Sequence, residues 1–281
     1  MIDFTKTIYE NCRMRGTPLL VAHRGVCGGN VPCNSMAAYQ IAVAQGADVV
    51  EIDVSITKDG EYYVFHPGME PVFLRTERRI PDMTAAELDE LRLVNQDATP
   101  TGYRVPRLAE VLAFLKGKAY INVDKFWTDV KGISEAIRRA GVEDQVIVKT
   151  GTDEATLEEV RRYASDFMFM PIVSGTDTVS ERLLAQGVHV IGTEVLFKTD
   201  NDDVISDAYI QSMHEKGLVV WANAIIYNER AVISAHHTDD GSLTGSPDQG
   251  WGWLCDKQVD LIQTDWLLML KQYLMTRGNK Q

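Results

Sequence analysis

The chain is 281 residues long and 45% hydrophobic, enough apolar material for one large α/β barrel or two small domains. A formal charge of −12 with no basic run argues against a nucleic acid or an anionic membrane surface as partner. It leaves a small phosphate-bearing ligand open, because the local charge of a cleft decides that. Cys12, Cys27, Cys33 and Cys255 have no metal-type spacing and read as reduced thiols. No apolar run approaches about 18 residues, so no membrane span is expected, and residues 1–17 are mixed and charged, unlike a signal peptide. The expected location is cytoplasmic, although removal of a secretory leader would leave the same sequence.

In chain order, residues 1–17 predict a helix below the first strand, 18–23, which is followed by the glycine-rich loop Gly25 to Gly29. Asn34 or Ser35 caps the next predicted helix, whose apolar positions from Met36 to Ala44 form a helical stripe. The second strand runs from Ala47 past Asp53 and continues into a hairpin turning at Asp59-Gly60, which folds His66 back towards Asp53. Residues 67–106 form a long connection with a capping-box signal at Thr84 and Glu87; a helix then opens at Pro106. The third strand is 119–124. Strands at 145–149, 167–172, 188–192, 218–223 and 259–264 then alternate with helices at 128–140, 153–164, 177–186, 202–216 and 266–276. A polar stretch, 227–250, containing Tyr227, His236 and His237, replaces one helix by loop, and such loops at a barrel mouth gate or select ligands. With the hairpin arm at 61–66 set aside, eight strands alternate with helices, which predicts a single (β/α)8 TIM-barrel domain over 1–281 with a small hairpin insertion after the second strand.

The chemistry gathers at the carboxyl ends of these strands, where the active sites of such barrels lie. Glu51 and Asp53 are two apart and project from one face, with Val50, Ile52 and Val54 on the other. Side-by-side carboxylates repel unless a cation relieves them, and hard oxygen ligands select Mg²⁺ or Ca²⁺. A pair salt-bridged to nearby arginines is the plain alternative. Asp124, on the same face as Asn122, is the natural third metal carboxylate. Lys149 ends its strand and is a candidate for the positive charge facing a substrate, while Lys125 lies on the other face unless the strand ends there. Trp221 is a candidate platform for the carbon portion of a substrate, or a core tryptophan. Adjacent side chains diverge, so His236-His237 reads as solvated loop. Cys33, at a helix start, has the position of an activated thiol, but a nucleophilic cysteine leaves the carboxylates unexplained.

His23-Arg24-Gly25, Pro32-x-Asn34-Ser35, Gly46-Ala47-Asp48, Glu51-Ile52-Asp53-Val54, Thr57-Lys58-Asp59-Gly60 and His66 resemble, in order and spacing, the glycerophosphodiester phosphodiesterase family. The sequence departs from the family pattern at Cys33, where Glu is usual, at Pro67, where Asp is usual, and at Phe126, where Lys is usual. The resemblance implies a phosphoric diester hydrolase of lipid metabolism that splits glycerophosphodiesters into glycerol phosphate and an alcohol. It further implies Glu51, Asp53 and Asp124 as ligands of Mg²⁺ or Ca²⁺, His23 and His66 as base and acid, and Arg24 on the phosphate. The expected partner is a small phosphodiester, with no nucleic acid and no membrane span. Two other readings are a phosphodiester-binding barrel with degenerate catalysis, and a metal-dependent barrel lyase or isomerase. The second has no use for a histidine on a hairpin.

Overall fold

The computed structural model describes residues 2–226 and 230–278. Its strands are β1 (Leu19–Ala22), β2 (Val49–Ile56), β3 (Tyr62–Val64), β4 (Tyr120–Asp124), β5 (Val146–Thr150), β6 (Met168–Ser174), β7 (Gly192–Leu196), β8 (Val219–Asn223) and β9 (Leu261–Thr264). All except β3 are parallel, in the order β1-β9-β8-β7-β6-β5-β4-β2, and β1 pairs with β2 to close the ring. The expected (β/α)8 barrel is therefore what the chain forms, with β3 antiparallel to β2 as the hairpin arm.

Period-2 alternation sorts the strand side chains. Leu20, Val50, Ile52, Ile121, Val123 and Val148 face outward into the layer of helices. Leu19, Val21, Val49, Tyr120, Ile147 and Trp221 fill the lower interior, joined by Ile8 and Cys12 of helix Ile8–Arg15, which caps the bottom. Each such aliphatic side chain contributes about 1.5–3 kcal/mol when fully buried. That apolar floor lets the upper interior carry charge.

The hairpin arm is built as its sequence demands. Gly60 adopts φ +83°, a left-handed conformation that a side chain would strain, and its N–H donates to the Thr57 carbonyl at 2.9 Å. Past β3, the Phe65 N–H donates to the Asp53 carbonyl at 2.9 Å, which sets His66 beside the end of β2. The following insertion makes its own apolar cluster from Tyr63, Phe65, Leu74, Ile80, Leu88 and Val105, and Thr84 and Glu87 form the expected capping box.

Two elements differ from expectation. The apolar run at 188–192 is not the sixth barrel strand; β7 begins at Gly192, and only Val190 makes an isolated bridge, to Phe169. Gly192, the last residue of the expected strand, is the first of the observed one, and because it pairs with Val219 so closely that a Cβ would overlap the Val219 carbonyl of β8, only glycine fits there. The stretch 227–250 is not all loop: it contains helix Asp239–Thr244, and helix Trp251–Asp256 follows at once. Tyr227 lies outside the described residues. Among the described residues no helix is long and apolar enough to cross a membrane.

Candidate active site

The register of β2 on β4 sets the centre, with Glu51 opposite Asn122 and Asp53 opposite Asp124. Glu51 and Asp53 are buried, and Glu51, Asp53 and Asp124 each offer a carboxylate oxygen within 4.8 Å of the others.

Asp53 is held through one oxygen and left open at the other. Its Oδ2 accepts from Asn34 Nδ2 at 2.8 Å, and the Tyr39 hydroxyl donates to Asn34 Oδ1 at 2.8 Å, which fixes the amide's orientation. Arg24 Nε lies 3.0 Å from the same Oδ2 without hydrogen-bond alignment, while the Arg24 backbone N–H donates to Glu51 Oε2 at 2.7 Å. Asp53 Oδ1 is buried with no hydrogen-bond partner. Lys125 Nζ stands 3.7 Å from it and 2.6 Å from Asp124 Oδ2. Arg24, Asn34 and Lys125 all have left-handed backbones, with φ of +56°, +52° and +61°. Three non-glycine residues in that region around one carboxylate mark strain kept for a site rather than for packing.

The two histidines flank this cluster. His23 Nδ1 is 2.8 Å from Asp265 Oδ1. A carboxylate only accepts, so Nδ1 carries the proton. Burial pulls the His23 pKa down, but the bond to Asp265 and the charges of Glu51 and Asp265 outweigh it, and the net shift is upward. His66 Nδ1 donates to the Pro67 carbonyl at 2.9 Å, which leaves Nε2 buried, without a hydrogen-bond partner and 4.0 Å from Asp53 Oδ1. Burial lowers the His66 pKa, and Arg24 and Lys125 add to that against the charge of Asp53.

The far wall is neutralised internally. Lys149 Nζ is 2.6 Å from Glu194 Oε2 and 4.1 Å above the Trp221 ring. Asn223 Nδ2 donates to Glu194 Oε1 at 2.6 Å, and Trp221 Nε1 donates to Asn223 Oδ1 at 3.1 Å. Trp221 is fully buried in the barrel floor, and Lys149 is itself enclosed. His237 bonds Asp200 and the Gln249 carbonyl and stacks on Trp253 at 3.7 Å, so it is a packed side chain rather than the solvated one expected, and it takes no part in the triad.

The donor set fits a divalent cation. Burial first, then the neighbouring Asp53 charge, pushes the Glu51 carboxyl up to about 7, the mark of negative charge crowded into low dielectric. Lys125 and Lys149 instead hold Asp124 below its ordinary value despite burial. Three carboxylates face the two cations Arg24 and Lys125, and Asp53 Oδ1 is orphaned. Hard oxygen donors of this kind suit Mg²⁺ or Ca²⁺ chemistry.

Sequence reasoning placed His23, Arg24, Glu51, Asp53, His66 and Asp124 together, and the fold brings them to one end of the barrel. It did not single out Asn34 or Tyr39 as site residues, and it left Lys125 on the other face unless the strand ended at Asp124. The signal for Lys125 was its place one residue past the strand end, where the backbone is free to turn.

A carboxylate triad and two histidines at one end of a closed parallel barrel define the class: a (β/α)8 protein with an acid–base and metal-type constellation at the carboxyl ends of its strands. The particular family follows from comparison. Residues 23–265 match the model of the glycerophosphoryl diester phosphodiesterase family, and the chain belongs to it. A glycerophosphodiester phosphodiesterase of Caldanaerobacter subterraneus subsp. tengcongensis is 31% identical over 154 residues, 52% of this chain and 63% of that protein. One from Bacillus altitudinis is 30% identical over 140 residues, 47% of this chain and 57% of that protein. The matched segments thus span about three-fifths of these relatives' lengths. Among solved structures, a glycerophosphoryl diester phosphodiesterase from Parabacteroides distasonis has a TM-score of 0.76 at 22% identity, covering 92% of this chain and 87% of that one. An Oleispira antarctica phosphodiesterase in complex with the product sn-glycerol-3-phosphate has a TM-score of 0.64 at 18% identity, covering 96% and 99%.

Proposed function

We propose that the protein hydrolyses glycerophosphodiesters to glycerol phosphate and an alcohol, with a divalent cation, Mg²⁺ or Ca²⁺, held by Glu51, Asp53 and Asp124. The observation that carries this reading is the pair of histidines, each with Nδ1 engaged and Nε2 left for chemistry, beside a carboxylate triad of which Glu51 and Asp53 are buried. The product named for the Oleispira antarctica structure, sn-glycerol-3-phosphate, is the product expected here. When bound, the cation supplies Lewis-acid polarisation of a phosphate oxygen and offsets charge in the transition state.

The chain's own residues do the rest. Arg24 and Lys125 are the cations beside the triad and bind the phosphate oxygens, Arg24 as a planar fork and Lys125 as a point charge. His23 and His66 form the acid–base pair: one takes the proton of the attacking hydroxyl, the other gives one to the leaving alcohol oxygen. Groups so placed contribute roughly 10²–10⁴-fold. Lys149 reaches the substrate only by giving up Glu194, so it supports the wall and tunes Asp124. Trp221 forms the floor beneath them.

Turnover of a panel of glycerophosphodiesters, before and after exhaustive chelation and with Mg²⁺ or Ca²⁺ restored, tests the reading. Diester hydrolysis that disappears with chelation and returns with either metal is expected. Undiminished activity after chelation would remove the triad from the mechanism, and a protein that binds diesters without turnover would leave a sensor.

A further inference from the structure

The segment joining β8 to β9 is tied to the barrel mouth by one buried carboxylate, Asp239, which is 2% exposed. Its Oδ1 accepts from Trp251 Nε1 and from Thr264 Oγ1, both at 2.7 Å, and its Oδ2 accepts from the Asp265 backbone N–H at 2.8 Å. These partners are neutral donors. Burial pushes the Asp239 carboxyl up to about 7, against the pull of all three bonds. These three donors require acceptors on both oxygens, which a carboxylate supplies and an amide, with its NH2 turned towards one of them, does not; the desolvation of that carboxylate is the cost of the link.

What the carboxylate holds is the residue that holds His23. Thr264 ends β9, its hydroxyl also accepts from the Trp266 N–H at 2.9 Å, and Asp265 follows directly. The Asp265 side chain is 43% exposed, so packing does not fix it. Its Oδ1 nevertheless meets His23 Nδ1 at 2.8 Å. The position of that exposed carboxylate is set by its backbone, and Asp239 fixes the backbone from both sides of the Thr264–Asp265 peptide.

We propose that Asp239 is a positioning residue for the reaction, acting through Asp265 to hold His23 with Nδ1 protonated and its ring at a fixed angle. The proposal rests on His23 belonging to the acid–base pair. A base or acid displaced by a fraction of an ångström loses much of its effect, whereas substrate affinity, set by other groups, changes little. An anchor that serves the fold alone has no such dependence on Asp265.

The test compares Asp239→Asn, Asp265→Ala and the double variant in the metal-loaded enzyme, with thermal unfolding as the check on the fold. Asp239→Asn is expected to lower kcat by about tenfold or more with KM moved less than about threefold. In the Asp265→Ala background the same change is expected to cost no more than about twofold, because the two act in series. Unchanged kcat in Asp239→Asn, or losses that multiply in the double variant, overturns the proposal. Should Asp239→Asn not fold, Trp251→Phe withdraws one donor and leaves the bond to Asp265; a kcat loss that vanishes in the Asp265→Ala background supports the proposal, and an equal loss in both backgrounds defeats it. Histidine ¹⁵N spectra need no turnover. A single Nδ1–H tautomer at His23 in the wild type that becomes mixed in Asp239→Asn is expected, and identical spectra would refute the positioning role. A wild type inert towards every diester would defeat the hydrolase reading alone, with the spectra still deciding the role of Asp239.

Discussion

Lys125 Nζ reaches Asp124 Oδ2, on its own chain neighbour, at 2.6 Å because β4 stops at Asp124 and the next residue turns left-handed. In a continued strand the two side chains would point to opposite faces. The turn aims the ammonium into the barrel mouth, whereas Phe126, in the position usual for the family's lysine, is fully buried among apolar groups of the outer, helix-facing layer. Under the proposed function, Lys125 supplies at the mouth the positive charge that Phe126 does not. Lys125→Met is expected to lower kcat/KM by about 10²-fold with the fold intact, the scale of removing one charged donor from a developing anion. Steady-state kinetics on the best diester checks it; wild-type kcat/KM would assign the phosphate to Arg24 alone.

The opposite lysine has the opposite signature. Lys149 and Glu194 are both buried, and their 2.6 Å contact lies within the barrel wall. Lys149→Met leaves Glu194 enclosed without its cation, a change that costs roughly 3–5 kcal/mol when a buried pair is broken from one side. Denaturant unfolding is expected to show that loss, and Glu194→Gln added to it is expected to recover much of the stability. If Lys149→Met unfolds like the wild type and fails only in catalysis, Lys149 contacts the substrate after all.

These two lysines show where sequence reasoning reaches and where it stops. Strand periodicity alone sets Glu51 and Asp53 on one face, and strand pairing brings Asp124 opposite Asp53, so the triad was legible. The direction of Lys125 depends on one backbone torsion at a strand end, which no periodicity encodes. The position of β7 has the same origin: Val188 and Val190 are apolar because they lie in the layer packed between strands and helices just before β7, while Gly192 is required within the sheet. Asp239 lies in a polar segment that resembles solvated loop, and its burial comes from contacts with Trp251 and Thr264 that are distant in sequence.

The metal reading has a consequence for stability as well as for rate. A cation held only by the folded triad raises stability by about 2.7 kcal/mol at a hundred times its dissociation constant. Thermal unfolding of chelated protein is therefore expected to shift upward on adding Mg²⁺ or Ca²⁺, and the shift is expected to vanish in Glu51→Gln. An identical shift in that variant would place the bound ion elsewhere.

Cys33 stands where the family has a carboxylate, yet its thiol is unsuited to attack. A hydrogen bond with Cys27 first, and burial second, raise its pKa well above the ordinary value, so it remains protonated. The same contact lowers Cys27 to about 7. Cys33→Ser preserves a donor of similar size, and most of the activity is expected to survive. Inactivation of a folded Cys33→Ser protein would reopen the case for a thiol nucleophile.

The last prediction concerns what attacks phosphorus. With His23 and His66 assigned to proton transfer in the proposed function, the carboxylate triad and the two cations leave no protein nucleophile in the site. The attacker is then water or a hydroxyl of the substrate. A hydroxyl already bound next to the phosphorus reacts as an intramolecular group, and effective molarity contributes up to about 7–11 kcal/mol where alignment is good. Glycerophosphodiesters carry such a vicinal hydroxyl. Diesters that keep it are therefore expected to turn over far faster than analogues in which it is absent or methylated, with a cyclic phosphate as the intermediate to be trapped. Phosphate monoesters are expected to be poor substrates, since they bring extra charge to an already anionic cluster and have no second ester bond to break. Equal kcat/KM for the hydroxyl-free diester would refute substrate assistance and leave water, activated within the same constellation, as the nucleophile.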